Sequence, residues 1–316
     1  MLVAAAVCPC PPLLVPEVAT GAALELNPLR EACSDALSVL AAARPDRLIV
    51  LGPAAAGTEG RYPSGAAGTF RGYGVDLTVH LGARPDGQQA TATGHGVRSD
   101  GTRGAAAVTG HGARQEAPGP SDPAAPAAAH AAYDGGAGPE GAAEGLGRSA
   151  PERTAGGDGT QGADHWAASR QLPLSLTVGG WLLERAQWTA APVEGVGVLE
   201  DLDTARCTAL GRELADSADR VALLVTGDGS ARRTLKAPGY LDERAAAFDA
   251  AVAQALGTAD VAALTALDVP LARDLLACGR SAWQVLAGAA PGAALHGELL
   301  YDEAPYGVGY VVATWS

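Results

Sequence analysis

The chain has 316 residues, of which 47% are hydrophobic and only 4% aromatic, and it carries a formal net charge of −13. That is enough apolar material for a core built from Ala, Val and Leu rather than rings, and enough length for two average domains or for one domain with an insertion. The acidic balance, with Lys236 as the only lysine and no Lys/Arg-rich stripe, denies the chain the basic face that phosphate binding needs, so no nucleic-acid partner is expected.

Residues 2–7 are apolar but short, with no basic residue before them, and read as a buried strand rather than a secretory leader. No other segment reaches the ~18 uninterrupted apolar residues of a membrane span, so no membrane partner is expected. Asn27 is placed to cap a helix over 27–43 with Leu29, Ala32, Leu37 and Leu40 on its apolar side. Strands are expected over 48–51 and 75–81. The stretch over 83–170 is rich in Gly, Ala, Pro, Thr and Ser and nearly free of branched aliphatics. It is expected to be a disordered insertion, because it cannot bury enough apolar surface to offset chain entropy. It contains His95, His111, His130 and His165, whose spacing matches no fixed ligand pattern.

Beyond it, helices are expected over 177–188, 203–217, 242–256, 259–277 and 281–289, with an extended segment over 196–199 and a strongly buried strand over 221–225. The chain closes with an expected strand pair over 298–301 and 308–314. Alternating strands and helices imply an α/β fold, a three-layer αβα sandwich around one mainly parallel or mixed sheet. Neither ordered block can close a core alone, so 1–82 and 171–316 are expected to form a single domain. Ligands of such folds sit where strands end and loops converge. The corresponding loops here are 8–12, 52–57 and 227–233.

Those loops carry the candidate chemistry. Cys8-Pro-Cys10 offers two thiols at a strand end, suited to a soft metal or a redox couple; a structural role is the alternative, since a single intervening proline strains any disulfide. The five cysteines (Cys8, Cys10, Cys33, Cys207, Cys278) are odd in number and scattered, a pattern of reduced thiols that points to the cytoplasm. Asp228 and Ser230, with Arg232, Arg233 and Lys236 close behind, read either as an anion pocket or as a capped turn. Glu303 and Tyr306 in the closing loop could line a pocket or simply accompany the packing of the last strand. His80 and His296 sit at strand ends and read as structural. Dinucleotide, Walker and Gly-x-Ser-x-Gly signatures are absent.

Five motifs in order resemble the catalytic-subunit (LigB-like) family of class III extradiol ring-cleavage dioxygenases. Val7-Cys-Pro-Cys-Pro-Pro-Leu-Leu-Val-Pro-Glu17 is similar to the family's Pro-His-Pro-Pro run leading to Pro-Glu, and Leu48-Ile-Val-Leu-Gly-Pro-Ala54 to its strand ending Ser-Pro-His. Thr226-Gly-Asp-Gly-Ser-Ala-Arg232 resembles Ser-Gly-Asp-Leu-Ser-His-Arg, continued by Ala237-Pro-Gly-Tyr240 and Phe248-Asp249. Ala277-Cys-Gly279 resembles Glu-Cys-Gly, and Tyr301-Asp-Glu-Ala-Pro-Tyr-Gly-Val-Gly-Tyr310 resembles the closing Tyr-Glu-x-Pro-Phe-Gly-Val-Gly-Tyr.

The resemblance implies an Fe(II) site of two histidines and one carboxylate, with a further acid–base histidine. Here the implied ligand positions are Cys10, Ala54 and Ala277, and the implied acid–base position is Ala231. Alanine neither ligates a metal nor moves a proton. The expectation is therefore a catalytically degenerate homologue that needs no cofactor and binds a small anionic or aromatic molecule, its candidate pocket formed by Cys8, Cys10, Asp228, Ser230, Arg232, Glu303 and Tyr306. Two alternatives stand beside it. One is an active oxidoreductase whose Fe(II) site is rebuilt from Cys10 and nearby Cys, Asp or Glu. The other is an interaction protein working through the insertion.

Overall fold

The computed structural model describes residues 1–82 and 170–316. The expected insertion up to residue 169, with its four histidines, lies outside the described residues. What is described belongs to one compact unit, a seven-stranded mixed sheet with helices on both faces.

The four central strands are β1 (Leu2–Cys8), β2 (Arg47–Ala54), β6 (Val193–Leu199) and β7 (Val221–Thr226). They run parallel in the order β6-β2-β7-β1. Their residues alternate between two cores, as period-two side-chain geometry requires. Leu48, Val50, Ala222 and Leu224 face one core. Ile49, Leu51, Leu223 and Val225 face the other. Burial on both faces explains why these segments read as continuous apolar runs. Antiparallel strands finish the sheet. β3 (Gly60–Tyr62) pairs with β6, β9 (Tyr310–Trp315) with β1, and β8 (Gly297–Glu303) with β9. The segment expected as a third strand of this sheet is instead β5 (Thr78–His80), which pairs with β4 (Ala67–Thr69) in a separate two-stranded sheet.

The first face is covered by α2 (Asn27–Ala42) and α3 (Leu174–Arg185), with the short α1 (Pro16–Ala19) beside them. Asn27 is the first helical residue of α2, not its cap. Leu26 holds the cap position with no side-chain hydrogen bond, and the Asn27 Oδ1 accepts from Arg30 Nη1 at 2.9 Å instead. Pro28 in the first turn suits that start, because its missing N–H would have no partner there. The second face carries α4 (Thr204–Ala215), α5 (Arg244–Gly257) and α8 (Arg280–Ala289). The region expected to be helical over 259–277 holds two short helices, α6 (Val261–Thr265) and α7 (Val269–Asp274). Asp260 caps the first and Asp268 the second, and Pro270 in the first turn of α7 prevents one helix running through both. Among the described residues no helix is long and apolar enough to cross a membrane.

Helices α4 and α8 meet backbone to backbone at Gly211 and Gly288. A Cβ on Gly211 would overlap the Val285 carbonyl oxygen and lie 2.6 Å from the Ala289 nitrogen. Both obstacles are backbone, so relief requires moving a helix whose every residue is buried. Gly211→Ala is expected to lower stability by about 1–3 kcal/mol, the range for overpacking a rigid interior, read as a lower urea midpoint. An unchanged midpoint would show that the two helices slide apart freely.

Candidate functional site

All four parallel strands end in register at one edge of the sheet, with Ala54 opposite Leu199 and Cys8 opposite Thr226. A cavity of about 730 Å³ opens there, and it is lined by residues that follow each strand: Cys10 after β1, Ala54 to Ala56 at the end of β2, Glu200 and Asp201 after β6, and Asp228 after β7. The far wall comes from α7 and the turn behind it, at Ala272, Arg273 and Leu276 to Cys278, and the near wall from Tyr73, Pro173, Leu174 and Ser175. A second cavity of about 300 Å³ beside Thr69, Tyr73 and Thr177 has no acidic, basic or thiol group among the described residues of its wall.

Two glycines bring the floor together. The backbones of Gly227 and Gly279 approach so closely that a Cβ on Gly227 would lie 2.5 Å from the Gly279 Cα. The Gly279 N–H donates to the Asp228 carbonyl at 3.0 Å, stitching the β7 loop to the start of α8. Leu276, in the left-handed conformation at φ 57°, turns the chain out of α7 and presents Ala277 and Cys278 to the cavity. A branched side chain holds that conformation only where its surroundings impose it.

On this floor, Cys10, Asp228 and Cys278 converge, each offering a donor atom within 4.8 Å of the other two. The Cys10 N–H donates to Asp228 Oδ1 at 2.7 Å, and the Asp228 N–H points at Cys278 Sγ at 3.4 Å. The Cys10 thiol donates to Cys278. That bond, then burial, then the Asp228 carboxylate, push Cys10 well above the ordinary thiol range. For Cys278 the bond from Cys10 favours the thiolate, but burial and the carboxylates of Asp228 and Glu200 outweigh it and raise this thiol too. Glu200 is itself pushed up by burial and by Asp201, with Arg280 opposing.

The other expected pocket residues lie elsewhere. Cys8 ends β1 with its thiol accepting from Cys33, inside the first core. Ser230 is buried and donates through N–H and Oγ to Asp249 at 2.7 Å each. Arg233 pairs with Asp249 at 3.0 Å, and the Arg232 stem packs on Gly239. Glu303 is exposed and accepts from the Tyr301 hydroxyl at 3.1 Å. The Tyr306 hydroxyl donates to Glu25 at 2.8 Å, and burial followed by that bond pushes it up to about 12. His80 sits on β5, its N–H donating to Glu184 at 2.9 Å, and His296 pairs its backbone with Ser316. Of the expected set, only Cys10 and Asp228 line the cavity. Cys278 and Glu200 join them without having been singled out by the sequence.

The positions that the resemblance assigns to iron ligands, Cys10, Ala54 and Ala277, all line this cavity, whereas Ala231 is buried outside it. The residues present do not fit a centre of two histidines and one carboxylate, because two of the three offer only methyl groups. No protein-family model matches the chain, and no curated protein matches it.

Proposed function

We propose that this chain is a LigB-like homologue that has lost ring-cleavage chemistry and uses the cavity at the carboxyl edge of its parallel strands to hold a small, uncharged aromatic or similarly flat molecule. The observation that carries the reading is the cavity itself. It stays open at about 730 Å³, within the ordinary range for small-molecule sites, while its walls at 54 and 277 are reduced to methyls.

The wall chemistry narrows the ligand. Tyr73, Leu174, Leu199, Leu276, Pro53 and Pro173 give broad apolar surface. Among the described residues of the wall, Glu200, Asp201 and Asp228 outnumber the single basic one, Arg273. An anion would enter against that field, so of the two expected ligand types the aromatic one is favoured. Arg233 and Ser230, which suggested an anion pocket, are engaged with Asp249. An active oxidoreductase with a rebuilt centre draws no support from Cys8 or Glu303, whose side chains engage Cys33 and Tyr301.

The test combines two measurements. Protein loaded anaerobically with Fe(II) is expected to consume no oxygen with catechols, and uncharged aromatics, screened in the presence of chelator, are expected to raise its melting temperature more than their carboxylates do. Ala55 is exposed at the cavity wall, so Ala55→Trp is expected to cancel that rise while leaving the unliganded melting temperature unchanged. Catechol-dependent oxygen uptake, or tighter binding of the carboxylates, overturns the reading.

A further inference from the structure

We infer that Cys10, Asp228 and Cys278 form a binding site for a thiophilic divalent cation such as zinc, with its fourth position open to the cavity. The inference goes beyond the ligand reading and does not depend on it.

Two sulfurs and one carboxylate oxygen are the donors that zinc and its soft relatives select over magnesium or calcium. Bonds of ~2.3 Å to sulfur and ~2.1 Å to oxygen place tetrahedral donors roughly 3.5–3.8 Å apart. The three donor atoms already lie within 4.8 Å of one another, so closure requires movements of about 1 Å or less. Three protein ligands with a fourth direction facing a cavity is the arrangement of zinc sites that take up an exogenous ligand.

The surroundings favour positive charge. Asp228, Glu200 and Asp201 line the same cavity as the two thiols, and a divalent cation is the charge that such a group of carboxylates accommodates. Binding is a proton exchange with no change of oxidation state. The cation forms one bond to each sulfur, and each thiol releases its proton to solvent. The outer shell is also in place. Asp228 Oδ1 is oriented by the Cys10 N–H at 2.7 Å, and Cys278 Sγ by the Asp228 N–H at 3.4 Å. Such partners aim ligands before the metal arrives. The thiol pair Cys8 and Cys33 has no equivalent claim, because it lies inside the first core and joins no group of three ligating side chains among the described residues.

The test is a titration of the full-length, reduced, chelator-stripped protein with Co²⁺, followed by displacement with Zn²⁺. The expected result is a sulfur-to-cobalt charge-transfer band that saturates at one equivalent, with about two protons released per ion and the band lost to Zn²⁺. Cys10→Ser and Cys278→Ser are each expected to weaken binding beyond the roughly 10–100-fold that loss of an outer-shell partner costs. Asp228→Asn preserves an acceptor for the Cys10 N–H and guards against loss of fold. It is expected to bind more weakly but to keep the band. Absence of binding, binding without the band, or undiminished affinity in Cys278→Ser, as a site elsewhere in the chain would give, overturns the assignment. The titration needs no organic ligand and the aromatic screen runs in chelator, so each proposal fails on its own measurement.

Discussion

Asp249→Ala is expected to remove about 3–5 kcal/mol of stability, the range for stripping one partner from a buried charged network, and to abolish cavity binding with it. Asp249 is only 1% exposed, and its carboxylate is wedged between two loop backbones. Oδ1 accepts from the Ser230 N–H, and Oδ2 accepts from the Ser230 hydroxyl and Arg233 Nη1. Gly229 and Gly309 leave the room: a Cβ on Gly229 would lie 2.8 Å from Oδ1, and one on Gly309 would overlap Oδ2. Alanine strands two Ser230 donors in a dry interior, each costing about 1–3 kcal/mol. Arg233 is 28% exposed and can turn toward water, so most of the loss falls on the loop that also carries Asp228.

Burial pushes Asp249 above the ordinary carboxylate range, with the Ser230 and Arg233 bonds opposing. A raised acid favours the folded state most below its unfolded value and loses that contribution as pH rises through its folded value. The gap between wild type and Asp249→Ala should therefore widen as pH falls toward the carboxylate range, measured by urea denaturation at neutral and mildly acidic pH. A variant of wild-type stability would show that the loop is held without the carboxylate.

Elements with strong apolar periodicity were legible in the sequence because one physical cause produced both pattern and structure. Strands β1, β2, β6 and β7 are buried on both faces, and their apolar runs announce it. The short strands β3 and β4 were not legible, and β5 was read within a longer strand over 75–81. Each has three residues, too few for a period to emerge, and pairing decides their place.

The candidate site divided in the same way. Cys10 and Asp228 were visible as residues just beyond strand ends. Cys8 was grouped with Cys10 on spacing alone, yet β1 stops at Cys8 and its thiol turns to Cys33 on α2. Cys278 stood in the Ala277-Cys-Gly279 motif only as the neighbour of an implied ligand position, and the Gly227–Gly279 approach that brings it to the floor is a tertiary contact. Glu200 had a signal that could have been used, a carboxylate one residue beyond a buried strand. Asp249 stood inside a recognised motif, but its role depends on a loop that arrives from Ser230 nineteen residues earlier in the chain.

Arg280→Leu is the second large effect expected, about 3 kcal/mol from acceptors left behind in the second core. Arg280 is 1% exposed at the start of α8 and faces no carboxylate within ion-pair distance among the described residues. Its guanidinium instead donates to the carbonyls of Glu200 and Leu202 and to Gln284 Oε1. Gln284 passes the link on, its amide donating to the carbonyls of Thr265 and Leu267. One buried cation thus ties the loop after β6, which presents Glu200 to the cavity, to α8 and the α6–α7 connection. Leucine matches the stem but leaves those carbonyls unpaired.

The variant also removes the charge that opposes burial at Glu200, so the Glu200 pKa rises further than in wild type. A raised acid loses its stabilising contribution as pH climbs through its folded value. The deficit of Arg280→Leu should therefore be smaller in mildly acidic urea titrations than at neutral pH, the opposite trend to Asp249→Ala. Equal deficits at both pH values would mean that Arg280 does not act on Glu200, while parallel trends in the two variants would place both carboxylates in a shared field rather than in separate networks.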